Sequence, residues 1–285
     1  MESLRKNFRW FALGAIFIGS SIIWYAVFEE SVTNRLEVDM LDIGQGDAIF
    51  IKAPGGEETL VDGGPNRSVL SALSKVMPFY DRSIDLLMVS NPDSDHIAGL
   101  VDVLNSYHVG AILIPGTKPD TEIYKSLLAA ANRTGAKIIE ARRGEKVSLG
   151  GGAFMEILFP DRDPSGLDTN TGSLIARLVY GKTSMLFTGD APTSVEDYLI
   201  SIDGKKLESD ILKVAHHGSK NSVSLPFYGV VNPQIAAISV GAGNTYGHPN
   251  KETLDALNQF QIKTLRTDQL GTIKFISDGE KFVEE

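Results

Sequence analysis

The chain has 285 residues, a formal net charge of -9 and no cysteine. That length suits one large domain or two small ones. The missing thiols exclude disulfides, thiolate–zinc sites and cysteine nucleophiles, so a metal must be held by His, Asp, Glu or amide oxygen. The first 28 residues carry +2 and the remainder -11, a balance unlike that of a general DNA-coating protein. Arg142-Arg143, Lys205-Lys206 and Lys213/Lys220 read as solvated surface rather than a basic patch.

Residues 10–28, "WFALGAIFIGSSIIWYAVF", contain no charge. At about 1.5 Å per residue they span roughly 28 Å, close to a bilayer core. Trp10, Trp24 and Tyr25 stand near the ends, where interfacial aromatics gather. A buried core helix is the rival reading. Arg5, Lys6 and Arg9 precede the run and Glu29 and Glu30 follow it. The positive-inside rule then puts residues 1–9 in the cytoplasm and the globular part on the extracytoplasmic side of the cytoplasmic membrane. "YAVFEES" is a poor cleavage site for a signal peptide. The expectation is an uncleaved single-pass anchor, a linker over 29–35 and one domain over 36–285.

From residue 36 strands and helices alternate. "RLEVDMLDI", "DAIFIKAP" and "TLVDGG" read as strands, with a hairpin turn at "APGGEE". A helix is predicted over 69–79, then strand "IDLLMV", a polar turn and a helix through Ile97, Leu100, Val101 and Leu104. Strand "AILIP" and a helix near 121–133 follow, then strands "KIIEA", "KVSLG" and "AFMEILFP". After the loop "DRDPSGLDTNTG" come strands "SLIARLVY" and "TSMLFTGD", a short helix, and strand "DILKVAHHGS". Strand "QIAAISVG", helix "KETLDALNQF" and strands "IKTLRT" and "TIKFISDG" close the chain. This order predicts two sheets packed face to face with helices outside.

The turn "SNPDSDH" crowds Asp93, Asp95 and His96 together. Helix capping, with Asp95 accepting a backbone N–H, is one reading. A metal site is the other. Strand ends elsewhere carry "DIGQGD", "DGG", "TGD" and "AHHGS", and a late loop carries "NTYGHP". Four of the five histidines, His96, His216, His217 and His248, fall in these segments; His108 has no motif around it and reads as structural. Scattered surface histidines rarely sort so, and the distribution favours the metal.

In this order "LDIGQGDA", "VDGG", "SNPDSDHIAGL", "TNTGSLI", "LFTGD", "LKVAHHGS" and "NTYGHP" resemble the metallo-β-lactamase fold. More specifically, they resemble the extracytoplasmic domain of ComEC-type DNA-uptake proteins, over roughly residues 36–280. The resemblance implies an α/β fold, a four-layer αββα sandwich with a metal site at one edge. It implies one strong metal position, from Asp95, His96, Asp190 and His216, for zinc or manganese. A second, doubtful position has Asp93 and Asp190, with neutral Asn91 and Asn170 where histidines are usual. It makes Asp62 a support for the metal loops and leaves Asp47 less certain. It makes Asp95, His217 and His248 candidate catalytic groups, the two histidines by binding phosphate or protonating a leaving group. Ser219 and Asn244 become candidate substrate contacts. A divalent ion makes hydroxide available at neutral pH by lowering the pKa of bound water from about 15.7 toward ~7. The function implied is a membrane-anchored phosphodiesterase or nuclease, with a membrane-channel protein as a possible partner. A hydrolase of a small ester, thioester or lactam, and a binding module with a degraded site, are the alternatives. The polytopic channel of DNA-uptake proteins is missing, so transport is not implied.

Overall fold

The computed structural model describes residues 2–31, 34–222 and 224–285. Helix α1 (Glu2–Ser31) is, among the described residues, the one helix long and apolar enough to cross a membrane, over Asn7–Trp24. It runs past both ends of the expected span. The expected linker 29–35 falls partly outside the described residues, as do the side chains of Arg5, Lys6, Tyr25, Glu29 and Glu30.

The domain opens with β1 (Leu36–Met40), β2 (Ile49–Lys52) and β3 (Glu58–Val61), then α2 (Ser68–Val76) and β4 (Ser83–Met88). Next come α3 (Ser94–Ser106), β5 (His108–Ile114), α4 (Glu122–Thr134) and β6 (Lys137–Glu140). The second half holds β7 (Lys146–Gly150), β8 (Ala153–Phe159), β9 (Ile175–Tyr180), β10 (Thr183–Phe187) and α5 (Thr193–Asp203). It continues with β11 (Ile211–Lys213), α6 (Leu225–Val231), β12 (Ile235–Ile238) and α7 (Lys251–Gln259). It ends with β13 (Lys263–Arg266), α8 (Thr267–Leu270), β14 (Ile273–Ser277) and β15 (Phe282–Glu284).

The strands form two mixed sheets. One is ordered β15-β14-β1-β2-β3-β4-β5-β6, the other β13-β12-β11-β10-β9-β8-β7. The last strands, β14 and β15, therefore return to pair with the first. Val38, Ile49 and Met88 of one sheet pack on Met155, Ala176 and Met185 of the other in a shared core. The outer face of the first sheet is covered by α2, α3 and α4 through Leu73, Leu100 and Leu127. The outer face of the second is covered by α5, α6 and α7 through Leu199, Phe227 and Leu257. Four layers and three apolar seams result, the expected αββα sandwich. Each fully buried aliphatic chain contributes roughly 1.5–3 kcal/mol.

Four elements differ from the sequence reading, the short helix α8 between β13 and β14 among them. The strand expected over 210–219 stops at Lys213, because the next residues turn sharply. Helix α6 was not foreseen; Ser224 caps it by accepting from Phe227 N, and Pro226 stands in its first turn, where its missing N–H is harmless. Edge strand β15 was not foreseen either. Lys213 is not solvated surface but 1 % exposed, and Arg143 forks onto the buried carboxylate of Asp203. Lys205, Lys206 and Lys220 are exposed, as expected.

Candidate metal centre

Parallel pairing brings the polar segments together. The β3–β4 register sets Val61 against Met88, so Asp62 lies beside Ser90 and accepts from Ser90 N at 2.8 Å. The β10–β11 register sets Phe187 against Lys213, so "TGD" lies beside "AHH", and His216 N donates to Gly189 O. Gly46 lets the Asp47 loop reach α3: a Cβ there would stand 2.2 Å from Asp95 O, and its φ is +133°. Gly99 does the same for the "DGG" loop, since a Cβ would meet Gly63 O at 2.0 Å.

His96 is fully buried in the first turn of α3. Its Nδ1 lies 2.9 Å from the Asp62 carboxylate, which fixes the ring and leaves Nε2 facing Asp190 Oδ2 at 3.2 Å. His217 repeats the device. Its Nδ1 donates to Ser239 O at 2.9 Å, and its Nε2 faces Asp95 Oδ2 at 3.3 Å. The two ring centroids are 5.6 Å apart. His96 Nε2, His217 Nε2 and Asp190 Oδ1 are buried without a hydrogen-bond partner among the described residues. Two imidazole nitrogens and a carboxylate oxygen, buried and unsatisfied around one point, are what a divalent cation satisfies. Burial opposes a charge on His96, yet Asp190 and Asp62 outweigh it and hold its pKa well above the ordinary value. Burial likewise opposes ionisation of Asp190, but His96, His217 and Lys213 hold its carboxyl well below the usual range. The site is strongly cation-attracting.

By distance the tight buried group is Asp47, His96, Asp190 and His217, with ligand atoms within 4.8 Å of one another. Asp47 sits behind the front formed by the two Nε2 atoms. Its carboxylate lies 3.6 Å from Nδ1 of both His96 and His217 and directly against the Lys213 ammonium. Lys213 Nζ also donates to Gly189 O at 3.0 Å, tying the Asp190 loop to the same charge. His216 and Asp95, both expected as ligands, lie outside this group; the His216 side chain is 29 % exposed with Nε2 3.7 Å from Asp190 Oδ2, and Asp95 reaches it through His217 Nε2. His216 and His217 are consecutive left-handed residues, φ +49° and +54°, a backbone cost of about 1 kcal/mol or more each.

The other expected position is differently built. Asp93 is the N-cap residue of α3 but makes no side-chain capping bond; its carboxylate accepts from Thr169 Oγ1 at 3.0 Å. Asn91 Oδ1 accepts from Asp93 N at 2.9 Å, and Asn91 Nδ2 donates to Asn170 Oδ1 at 2.7 Å. Side-chain capping therefore does not account for Asp93, while Asp95, in the first turn, faces His217 Nε2.

The site opens through a cavity of about 210 Å³ lined by Gln45, Asp93, Asp95, His216, Tyr246 and His248 among others. Burial, then His216 and His217, hold His248 below the ordinary histidine value. Tyr246 is 68 % exposed and stacks on His248 with centroids 5.9 Å apart. Asn244 does not line the opening. Its amide bonds Gly241 O, His248 O and His248 N, clamping the loop that carries Tyr246. Ser219 is buried, accepts from Asn221 N and also stays off the opening. His108 is exposed at the start of β5, at the other edge of the sheet. Ser90, Thr169 and Tyr246 were not singled out in the sequence, and Lys213 was read there only as surface. Lys213 left a trace there, a lone cation inside the apolar run "DILKVA".

An αββα sandwich with histidines and aspartates converging at one edge defines a metallo-hydrolase fold. The chain belongs to the metallo-beta-lactamase superfamily, whose sequence profile matches residues 41–241. Among curated proteins it is 33 % identical to ComE operon protein 3 of Bacillus subtilis, over 86 % of this chain and 33 % of that one. It is 30 % identical to competence protein ComA of Neisseria gonorrhoeae, over 85 % and 32 %. The chain thus spans about a third of the length of these relatives. Among solved structures, the fold matches YhfI of Bacillus subtilis at 15 % identity and TM-score 0.54, over 81 % of this chain and 96 % of that one. It also matches Igni18, a metallo hydrolase of Ignicoccus hospitalis, at 15 % and 0.55, over 84 % and 98 %.

Proposed function

We propose that the chain is a divalent-metal-dependent phosphodiesterase acting on nucleic acid outside the cytoplasmic membrane, tethered by α1. The observation that carries the reading is the pair His96 and His217. Each is anchored through Nδ1, and their unsatisfied Nε2 atoms face Asp190 and Asp95. These four side chains would hold the cation, zinc or manganese, which when bound would supply hydroxide at neutral pH and charge for a phosphoryl oxygen. Asp62 and Ser239 O keep the rings aimed. His216 lines the opening, where its proton can meet a substrate oxygen. His248 Nδ1, unpartnered among the described residues, stands ready to exchange a proton with a leaving oxygen. Tyr246 offers a ring to a base.

The opening is lined by carboxylates and imidazoles, with Tyr246 as its aromatic wall. A lipophilic ester or lactam calls for an apolar pocket instead. The names of the relatives, competence proteins among them, favour DNA as the polymer. A membrane-channel protein is the partner that such a tethered domain would serve.

The test is a substrate panel with the purified chain: single- and double-stranded DNA, an activated phosphodiester, a thioester and a lactam, each with added manganese or zinc. Metal-dependent cleavage of the phosphodiesters supports the proposal. Turnover confined to the thioester or lactam overturns it. No turnover together with no bound metal makes the chain a binding module.

A further inference from the structure

Phe79 is 87 % exposed and Tyr80 48 %, with ring centroids 5.4 Å apart, edge to face. They sit in the loop between α2 and β4. Lys75 precedes them and Arg82 follows, both exposed. An exposed aromatic pair is an expensive feature for a surface that meets only water. Tyr246 is as conspicuous, but it lines the metal opening. Leu167, Ile202, Leu225 and Leu270 are exposed singly, each on a different element or loop. A cavity of about 550 Å³ lined by Arg177, Lys182, Lys205 and Glu208 mixes charges of both signs and names no ligand.

The position of the pair in the fold gives it meaning. Strand β4 runs from Ser83 toward Ser90 and the metal turn, so Phe79 and Tyr80 lie at the edge opposite the site. Strand β1 runs the same way, from Leu36 toward the Asp47 loop. Asn34 stands just before it, its carbonyl accepting from Tyr180 Oη at 3.3 Å, where β9 ends. The chain therefore enters the domain at the edge that displays the pair. Three strand spacings separate β1 from β4 in the sheet, roughly 14 Å at ~4.8 Å each. Five Cα steps join Ser31, the end of α1, to Leu36, a reach of at most about 18 Å.

Resting on the reading of α1 as a membrane anchor, we propose that Phe79 and Tyr80 form a second contact with the bilayer. The rings lie at the headgroup–acyl boundary, as aromatic residues do, and Lys75 and Arg82 sit among the phosphates. The domain is acidic overall and Asp81 stands between Tyr80 and Arg82, whose guanidinium also touches Tyr107, so the two rings supply the adhesion and the flanking cations offset the local carboxylate. Two contacts fix the domain where one helix would let it swivel. The metal opening then faces away from the membrane by the height of the sheets, toward a polymer outside and not toward lipid.

The absence of cysteine makes the test clean. Phe79→Cys in the full chain carries an environment-sensitive fluorophore, with Ser165→Cys in an exposed loop as control. Both are reconstituted in vesicles of phosphatidylethanolamine and phosphatidylglycerol. The expected result is a blue-shifted emission at position 79, quenched about twofold by acyl chains brominated near the headgroup, with position 165 unchanged. Adding Tyr80→Ser should weaken the quenching. Water-like emission at position 79, in protein that floats with the vesicles, overturns the contact while sparing the anchor. A blue shift without quenching means that protein covers the pair, and overturns it too. Protein that does not float with the vesicles defeats the anchor and the contact together.

Discussion

Asn91 Nδ2 donates to Asn170 Oδ1 at 2.7 Å, while Asn91 Oδ1 accepts from Asp93 N. Both amide oxygens that a second cation would need are already engaged within the protein. Amide oxygen is also a poorer zinc ligand than imidazole. Extensively dialysed protein should therefore hold close to one equivalent of metal, by elemental analysis. Asn91→His should raise the content toward two. Two equivalents in the unsubstituted chain, unchanged by the substitution, would sink the reading.

Much of this was legible because the strands are short apolar runs bounded by turn residues, and because the polar segments fall at their ends. What the sequence hid depends on contacts between distant segments or on backbone signs. "AHHGS" continues an apolar strand in sequence, and nothing local says that both histidines turn left-handed. Which of His216 and His217 joins the buried group was thus unreadable, since the anchoring of His217 depends on Ser239 O arriving from the loop after β12. Helix α6 buries only Phe227, Tyr228 and Val231, too few positions to establish a helical period.

That choice has a direct test. Both histidines line the opening, but His217 is 1 % exposed with Nδ1 anchored, whereas the His216 side chain is 29 % exposed. His217→Ala should lose bound metal and activity together. His216→Ala should keep its metal and lose mainly turnover, by about 10²-fold or more if it handles a proton. Metal content and kcat measured on both variants decide it. Metal loss in His216→Ala, with retention in His217→Ala, would reverse the two roles.

Glu196 is buried away from the site, and burial, reinforced by Asp197, pushes its pKa from 4.5 up to about 8. Glu58 is pushed to about 8 as well, by burial and then Asp81. Between these pKa values the folded state binds more protons than the unfolded one, so stability falls as pH rises. The contribution is complete below about pH 4.5 and lost once the pH has passed about 8. Glu196→Gln stays neutral throughout and should flatten the slope. Urea midpoints measured from acid to alkaline pH should show the variant gaining on the parent as pH rises. Parallel curves would refute the assignment.

Lys213 and Asp47 form a buried ion pair, Lys213 being 1 % exposed and Asp47 1 % exposed. Lys213→Met leaves the Asp47 carboxyl in the interior without its ammonium partner, near Asp62 and Asp190. Breaking one side of such a pair costs about 3–5 kcal/mol. It also frees the Gly189 carbonyl that Lys213 Nζ holds, loosening the loop that presents Asp190. The single variant should therefore lose both stability and metal affinity. The double variant, Asp47→Asn with Lys213→Met, removes both charges. It should recover much of the stability, because no unpaired charge then remains in the interior. It should not recover metal affinity, because the tie to Gly189 stays broken. A double-mutant cycle in urea, with metal titration on each protein, separates the two effects. If the double variant regains both together, the lysine acts through charge alone and the tie to Gly189 contributes nothing to the site.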